Sequence, residues 1–175
     1  MPTESRTDGA TAARDDTRWL NEDEQRAWGA YIRLAKMLMR QLDRDLQPFG
    51  LSTNDYEILV ELSEAPGNRL RMTELADRTA QSRSRLSHQI TRMEIKDLVR
   101  REDCEGDKRG TFAVITGRGL ATIERVAPSH VDSVRRHFMD HIPAEHLGVL
   151  SGDYQPILEP EYPWSYFEGR GPPRR

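Results

Sequence analysis

The residues with the clearest capacity for chemistry are concentrated between positions 82 and 92. Guanidinium groups bind phosphate oxygens, and short hydroxyl and imidazole side chains form hydrogen bonds with base edges. A polar helix face taken alone is more often an ordinary solvent-exposed surface. The neighbouring elements must therefore show whether this segment is such a surface or a nucleic-acid-binding one. The candidate DNA-binding residues of this segment are Ser82, Arg83, Ser84, Arg85, Ser87, His88 and Arg92.

A second set of candidates lies closer to the C-terminal end. His137 and His141 are four residues apart, so both imidazoles fall on one face of a helix, with Asp140, Glu145 and His146 nearby in sequence. This spacing can hold zinc, which leaves open an alternative in which the chain is a metal-binding sensor or a metal-dependent enzyme. Two histidines at this spacing are more often incidental. Because we find no Ser/His/Asp arrangement, Gly-rich phosphate loop or paired carboxylates, we expect a chain that is not an enzyme and needs no cofactor.

The charge distribution favours nucleic acid as the partner. The formal net charge of the 175 residues is −3. Between Arg78 and Arg101, however, seven cationic residues face only two acidic ones, whereas residues 140–168 contain six acidic residues and no Lys or Arg. A basic segment in an acidic protein can bind phosphates while the rest of the chain has no non-specific affinity for nucleic acid.

Apolar periodicity predicts two long helices that flank several shorter elements. The first begins at the capping signal Asn21 to Glu24, and the second begins at Thr116 and contains Pro128 as a kink. Shorter helices are predicted after Ser52, Thr73, Ser82 and Pro143. The stripe of the first long helix is Trp28, Tyr31, Ala35, Leu38, Leu42 and Leu46, and that of the second is Leu120, Ile123, Val126, Val131, Val134 and Phe138. Trp28 and Tyr31 at these positions are more often part of a dimer or domain core than of a ligand pocket.

The segment from Ser82 to Asp97 is predicted to be a helix with two different faces. Leu86, Ile90 and Met93 lie inward, and the candidate residues lie on the opposite side, with Ile95 as the one apolar residue near the C-terminal end. Strands at 98–101 and 111–115 follow, joined by a polar tip over 103–110 that contains Cys104, for which an ordinary structural role is expected. The fold class is therefore mainly α with a small β-hairpin wing.

This order of elements is typical of a winged helix-turn-helix. The third helix fits the major groove of duplex DNA, where base edges can be distinguished. Arg109 near the hairpin tip is placed to enter the neighbouring minor groove, whose negative potential attracts Arg. A winged helix that serves protein–protein contact instead would be expected to have a neutral or apolar recognition face, and this one is cationic.

The chain resembles the MarR family (multiple-antibiotic-resistance regulators) between about Trp28 and Leu150. The resemblance is carried by Gly50-Leu51-Ser52, by residues 72–76 (MTELA) and 86–94 (LSHQITRME), by residues 98–101 (LVRR), and by Asp107-Lys108-Arg109 followed by Ile115-Thr116-x-x-Gly119. It implies a homodimer with interlocking N- and C-terminal helices and one recognition helix per subunit. It further implies that Arg109 enters the minor groove with Asp107 as its orienting partner, and that a small aromatic ligand acts as inducer of a repressor.

The chain departs from the family pattern at several positions. His88 stands where Arg is frequent, Gln89 where an apolar residue is usual, and Asp97 where Gly is common, a position that requires left-handed backbone. The last helix is interrupted by Gly148, Gly152 and Pro156, so the dimer is expected to depend more on the first helix and on the helix that carries Leu120 to Phe138.

These observations define the expected organisation of the chain. Residues 1–18 form a disordered tail, residues 19–150 the regulator domain, and residues 151–175 an irregular tail with the aromatic residues Tyr162, Trp164, Tyr166 and Phe167. Within the regulator domain the DNA-binding lobe spans about 50–116, and the dimerisation helices span about 21–47 and 117–150. The single cysteine and the absence of an apolar targeting or spanning segment predict a cytoplasmic protein that does not bind membranes.

Overall fold

The computed structural model describes residues 17–104 and 107–150, and within these the side chains of residues 107–109 are not described. The helices are α1 (Glu22–Leu46), α2 (Thr53–Glu64), α3 (Met72–Arg78), α4 (Arg83–Ile95) and α5 (Gly117–His137). The strands are β1 (Arg69–Arg71), β2 (Val99–Cys104) and β3 (Asp107–Ile115). The order α2-α3-α4-β2-β3 confirms the predicted winged helix-turn-helix. The predicted C-terminal aromatic tail, and the N-terminal tail except Thr17 and Arg18, lie outside the described residues.

The chain divides into two compact units, Met1–Met37 and Leu38–Arg175, and the boundary lies within α1. The described part of the first unit is the N-terminal half of α1. Asn21 and Glu24 form the predicted reciprocal cap, because the backbone N–H of each donates to the side chain of the other at 2.9 Å. The rings of Trp28 and Tyr31 stack with centroids 6.2 Å apart. Both rings are exposed in the single chain.

The core of the second unit lies between α2, α3, α4, α5 and the sheet. α1 ends at a short 3₁₀ turn (Gln47–Phe49), after which Gly50 has a φ of +71°, a conformation that glycine adopts without steric cost. α2 then begins at the predicted reciprocal cap between Ser52 and Asp55. The largest fully buried apolar side chains are Leu46, Ile58, Leu59, Leu62, Leu75, Leu86, Ile90, Met93, Val99 and Val126.

The sheet is larger than the sequence predicted. β1 was not predicted, and it pairs antiparallel with β3 to give the strand order β1-β3-β2. The predicted polar loop over 103–110 is wrong for most of its length, because β2 continues to Cys104 and β3 begins at Asp107. Cross-strand hydrogen bonding satisfies the backbone there although the side chains are polar. Cys104 is buried at the end of β2.

Two other helix predictions need correction. α3 begins at Met72 after Arg71, so Thr73 lies inside the helix and does not cap it. On α5 the expected stripe changes after Pro128, where Val131 is 54% exposed and Ser133 faces inward at 1% exposure. Pro128 itself lies within the continuous helix.

Backbone geometry supports the connection from α4 through the wing to α5. Asp97 has a φ of +55° and so adopts the left-handed conformation expected at this position. The hydroxyl of Thr116 accepts from the backbone N–H of Gly119 at 3.0 Å, which is the predicted cap of α5. No helix in the described part of the chain is long and apolar enough to cross a membrane.

Candidate nucleic-acid interface

Helix α4 is fixed in place by its apolar side and by its N-terminal cap. Leu86, Ile90 and Met93 are fully buried, as predicted from their spacing. The hydroxyl of Ser82 accepts from the backbone N–H of Arg85 at 3.3 Å, so Ser82 is the N-cap. These contacts leave the opposite side of the helix directed away from the core.

We call this opposite side the outward face of α4. The N-terminal turn of α4 carries three cationic or hydroxyl side chains, Arg83, Ser84 and Arg85, all of them exposed. Among the described residues, the structure gives no hydrogen-bond partner to the side chains of Arg83, Arg85 and His88. The outward face consists of Ser84, Arg85, Ser87, His88, Thr91, Arg92 and Ile95, and every one of these residues is exposed.

Gln89 explains one departure from the family pattern. Its side chain is buried and its amide nitrogen donates to the carboxylate of Asp55, which also caps α2. Its amide oxygen accepts from the guanidinium of Arg92. A polar bridge between α2 and α4 therefore replaces an apolar contact. It also holds Arg92 at the edge of the outward face, whereas Arg85 extends from this face without such a contact.

Arg101 on β2 reaches the outward face from the wing, which the sequence did not predict. Its guanidinium forms an ion pair with Glu94 and donates to the backbone carbonyl of Ser87 at 2.8 Å and to the hydroxyl of Thr91 at 3.1 Å. Its backbone N–H donates to Glu94 at 2.9 Å. Arg101 thus joins α4 to β2. Its place within the basic segment was a signal, but these partners depend on the packing of β2 against α4.

The predicted wing residues are placed only as backbone. Asp107 and Arg109 belong to β3, and Asp107 is paired with Cys104 across the hairpin. Their side chains lie outside the described ones. The roles of Arg109 in the minor groove and of Asp107 as its orienting partner therefore stay predictions.

This arrangement of helix, cap and wing is shared with known regulators. A model of the MarR family matches residues 49–110. AbsC, a MarR family transcriptional regulator from Streptomyces coelicolor, is 58% identical, and the match covers 82% of this chain and 97% of AbsC with a TM-score of 0.78. The chain belongs to the MarR family of transcriptional regulators.

Two further MarR-type regulators are similar to this chain. Sco3205, a MarR family transcriptional regulator from Streptomyces coelicolor whose crystal structure is a complex with DNA, is 44% identical over 83% of this chain and 91% of Sco3205, with a TM-score of 0.80. The HTH-type transcriptional regulator PecS from Dickeya dadantii (strain 3937) is 28% identical over 109 residues, and the chain spans 65% of the length of PecS. Because these bacterial relatives are transcriptional regulators, the expectation that the chain is not an enzyme is confirmed.

The histidines of the alternative metal site serve other contacts in this MarR-family chain. His137 donates from Nε2 to Asp45 at 2.9 Å, and Nε2 of His141 lies 3.0 Å from the backbone carbonyl oxygen of Arg136. Within residues 17–104 and 107–150 there is no group of three or more His, Cys, Asp or Glu side chains that could hold a metal ion. The described structure therefore gives no support to the metal-binding alternative.

Asp45 connects the end of α1 to α5 within the second unit. Its Oδ2 accepts from the Ser133 hydroxyl at 2.5 Å, from Arg136 at 3.0 Å and from His137 at 2.9 Å. The Ser133 hydrogen bond, together with His137 and Arg136, lowers the pKa of the Asp45 carboxyl below its ordinary value and outweighs the opposing effect of burial.

An aromatic contact joins α2 to α5. The Tyr56 ring on α2 lies against the imidazole of His130, with centroids 4.1 Å apart. Burial raises the pKa of the Tyr56 phenol and lowers the pKa of the His130 imidazole. Nδ1 of His130 is inaccessible and has no hydrogen-bond partner among the described residues, so a charged His130 is disfavoured.

Proposed function

We propose that this MarR-family regulator binds duplex DNA as a homodimer, with the outward face of α4 in the major groove and Arg109 in the adjacent minor groove. The observation that carries the proposal is the outward face itself. Leu86, Ile90 and Met93 are fully buried, while the hydroxyl, imidazole and guanidinium groups on the opposite side are exposed together. A face of this composition matches the donor and acceptor patterns of base edges. The relative Sco3205 supports the proposal because it is known in a complex with DNA.

The N-terminus of α4 is suited to a phosphate. The partial positive charge of the helix end and the adjacent Arg83 both attract an anion. The Ser82 hydroxyl oxygen accepts a backbone hydrogen bond and lies 3.3 Å from the Ser84 hydroxyl oxygen, so one of these two hydroxyls keeps a free O–H donor. We therefore assign Ser82 and Arg83 to phosphate contact and Ser84, Arg85, Ser87, His88 and Arg92 to the major groove.

The proposed dimer interface uses the helices predicted from the sequence, at about 21–47 and 117–150, on either side of a DNA-binding lobe at about 50–116. It is supported by the large apolar side chains that α1 exposes in the single chain. Trp28, Tyr31 and Leu34 are each between 46% and 58% exposed, and large apolar side chains exposed together on one side of a helix are typical of an interaction surface. A two-fold dimer predicts a pseudo-palindromic operator with half-sites about 34–36 Å apart.

We further propose that the protein is a cytoplasmic repressor that a small aromatic ligand releases from DNA, as the family resemblance implies. A surface cleft of about 550 Å³ supports this part. It lies where α1 and the following 3₁₀ turn meet α5, and its lining includes Phe49, Pro128, Arg44 and Arg136. Phe49 and Pro128 suit an aromatic ring and Arg44 suits a polar substituent on it. Arg136 is already paired with Asp45 and Asp132, which also line the cleft. Repression would follow from occlusion of polymerase, and release from a ligand that changes the spacing of the two lobes.

Salt-dependent binding to promoter DNA tests the proposal. Fluorescence anisotropy with fragments from upstream of the gene itself and of its neighbours should show an affinity that falls steeply as salt rises, since phosphate contacts release counterions. Arg109→Ala should weaken binding and make the slope of log K against log salt shallower by about 0.9. Arg18→Ala, an exposed arginine that precedes α1 and pairs with Glu24, is the matched control. The absence of salt-sensitive binding to any genomic promoter fragment would overturn the proposed function.

A further inference from the structure

The most exposed large apolar side chain in the described part of the chain lies on the proposed DNA-binding surface. Ile95 is 82% exposed and is the last residue of α4. At 100° per residue, Ser84, His88, Thr91 and Ile95 fall within about 60° of one another around the helix axis. Ile95 is therefore near the middle of the outward face and not on its margin, and it does not belong to the core formed by Ile90 and Met93.

The outward face changes in chemistry along its length. The N-terminal half presents the hydroxyl of Ser84 and the imidazole of His88. In the C-terminal half the Thr91 hydroxyl is already engaged, because it donates to the backbone carbonyl of Ser87 at 3.1 Å and accepts from Arg101 at 3.1 Å. The free group of Thr91 is thus its methyl. Together with Ile95 it forms an apolar patch in the C-terminal half of this face, beside the guanidinium groups of Arg92 and Arg101.

The neighbouring cations do not cover this apolar part. Lys96 follows Ile95, but its Nζ donates to the backbone carbonyl of Gly50 at 2.8 Å and lies 3.7 Å from the Asp55 carboxylate. Arg92 is held by Gln89. Both side chains are therefore directed to partners on or near α2 and α4, and Ile95 remains open to a ligand that lies against α4.

Only one kind of group on base edges in the major groove is apolar, and it is the C5-methyl of a pyrimidine, which in unmodified DNA belongs to thymine. We propose that Ile95, with the methyl of Thr91 beside it, is a specificity-determining residue that contacts a thymine C5-methyl. The inference depends on the proposed function, because it requires α4 in the major groove. Ile95 lies about 16 Å along the helix from Ser84, so this thymine is expected about five base pairs from the base that faces Ser84.

A double-mutant cycle between protein and DNA tests the contact. Each thymine of a bound promoter fragment is replaced in turn by deoxyuridine, which lacks only the methyl, and affinity is measured for the wild type and for Ile95→Ala. At one position per half-site, deoxyuridine should weaken the wild type about fourfold, which is the factor that corresponds to burial of one methyl group. The same replacement should have a clearly smaller effect on Ile95→Ala, in which only the Thr91 methyl remains. At other thymines both proteins should respond alike.

Further variants identify the methyl groups that form this contact. Ile95→Val keeps an apolar side chain and should retain most of the coupling, while Thr91→Ser removes the neighbouring methyl and should reduce it. With 5-methylcytosine at the sensitive position the wild type should bind more tightly than with cytosine there. This gain would show that the contribution comes from the methyl group and not from thymine O4. Because Ile95 is exposed, Ile95→Ala should unfold at the same denaturant concentration as the wild type.

Two results would overturn the inference while leaving the proposed function intact. One is unchanged affinity of Ile95→Ala for the fragment that the wild type binds. The other is a loss from deoxyuridine that is equal in the two proteins at every thymine. A wild type that binds no promoter fragment would instead overturn the proposed function.

Discussion

Replacement of Arg101 by Met should separate α4 from the wing while the backbone of both elements stays intact. Methionine retains most of the aliphatic stem of arginine and removes its five donors. The guanidinium contacts that disappear are the ion pair with Glu94 and the hydrogen bonds to Ser87 and Thr91. The backbone hydrogen bond from Arg101 to Glu94 remains.

The expected loss of stability follows from these contacts. A hydrogen bond to a charged group contributes about 1.5–3 kcal/mol and a neutral one about 0.5–1.5 kcal/mol. The side chains of Arg101 and Glu94 are 28% and 30% exposed, so water weakens the ion pair between them. In the variant, water also forms hydrogen bonds with the groups that Arg101 leaves. We expect Arg101→Met to lower the free energy of unfolding by about 2–3 kcal/mol. Binding to promoter DNA should weaken as well, because the wing and α4 are no longer held in one geometry.

Arg100→Met is the matched control, since it removes the same charge one residue away. The Arg100 side chain is 56% exposed and forms an ion pair with Glu102 on the same strand, so its loss should amount to less than about 1 kcal/mol. Urea unfolding of both variants at equal protein concentration compares them. If the two variants unfold at the same urea concentration, the assigned role of Arg101 is wrong.

Three further predictions concern local geometry and pH. Gly119→Ala should lower the free energy of unfolding by about 3 kcal/mol, because an added Cβ would lie 2.2 Å from the backbone oxygen of Leu98. Gly117→Ala is the control, and it should not lower the free energy of unfolding because the space around Gly117 is open. Equal urea midpoints for the two variants would contradict this. Asp97→Gly should raise stability by about 0.5–1 kcal/mol because it relieves a φ of +55°, and a decrease would show that the Asp97 side chain contributes more than the strain costs. Burial lowers the pKa of His130, so below pH about 6.5 the unfolded chain takes up a proton that the folded chain does not, and the free energy of unfolding falls as the pH drops. In His130→Phe the free energy of unfolding should depend less on pH between about 7 and 5.5. Parallel pH profiles for the wild type and the variant would refute this.

Local signals allowed the helices to be predicted from the sequence. Asn21, Ser52, Ser82 and Thr116 each cap a helix as expected, because a cap depends on a side chain and a backbone N–H only two or three residues away. The left-handed conformation at Asp97 was predictable for the same reason, since it depends on the turn that directly follows α4.

Features that depend on distant residues were not predictable in this way. β1 has only three residues, and it exists as a strand because it pairs with β3 more than forty residues later. The wing strands extend into residues whose polar side chains suggested a loop, because the hairpin ladder and not the side chains stabilises them. Thr73 is of a residue type that often caps helices, but α3 starts one residue before it.

The candidate site also combines features that follow from local sequence with features that depend on packing between distant residues. The two faces of α4 followed from helical periodicity, and the buried and exposed residues agree with it. The contacts of Gln89 with Asp55 and of Arg101 with Glu94, Ser87 and Thr91 join elements that are distant in sequence or lie in different strands and helices. Composition could place Arg101 in a basic segment, but only packing shows which groups it holds.

Selection of bound sequences from a randomised duplex library tests the central claim most directly. His88 is exposed on the outward face, so His88→Ala should keep the fold and the spacing of half-sites but change the preferred base at one symmetric pair of positions. Arg18→Ala, which changes an exposed arginine outside the proposed interface and lobe, should select the same sequences as the wild type. If His88→Ala selects sequences identical to those of the wild type, and Arg85→Ala does the same, the outward face of α4 does not read base edges.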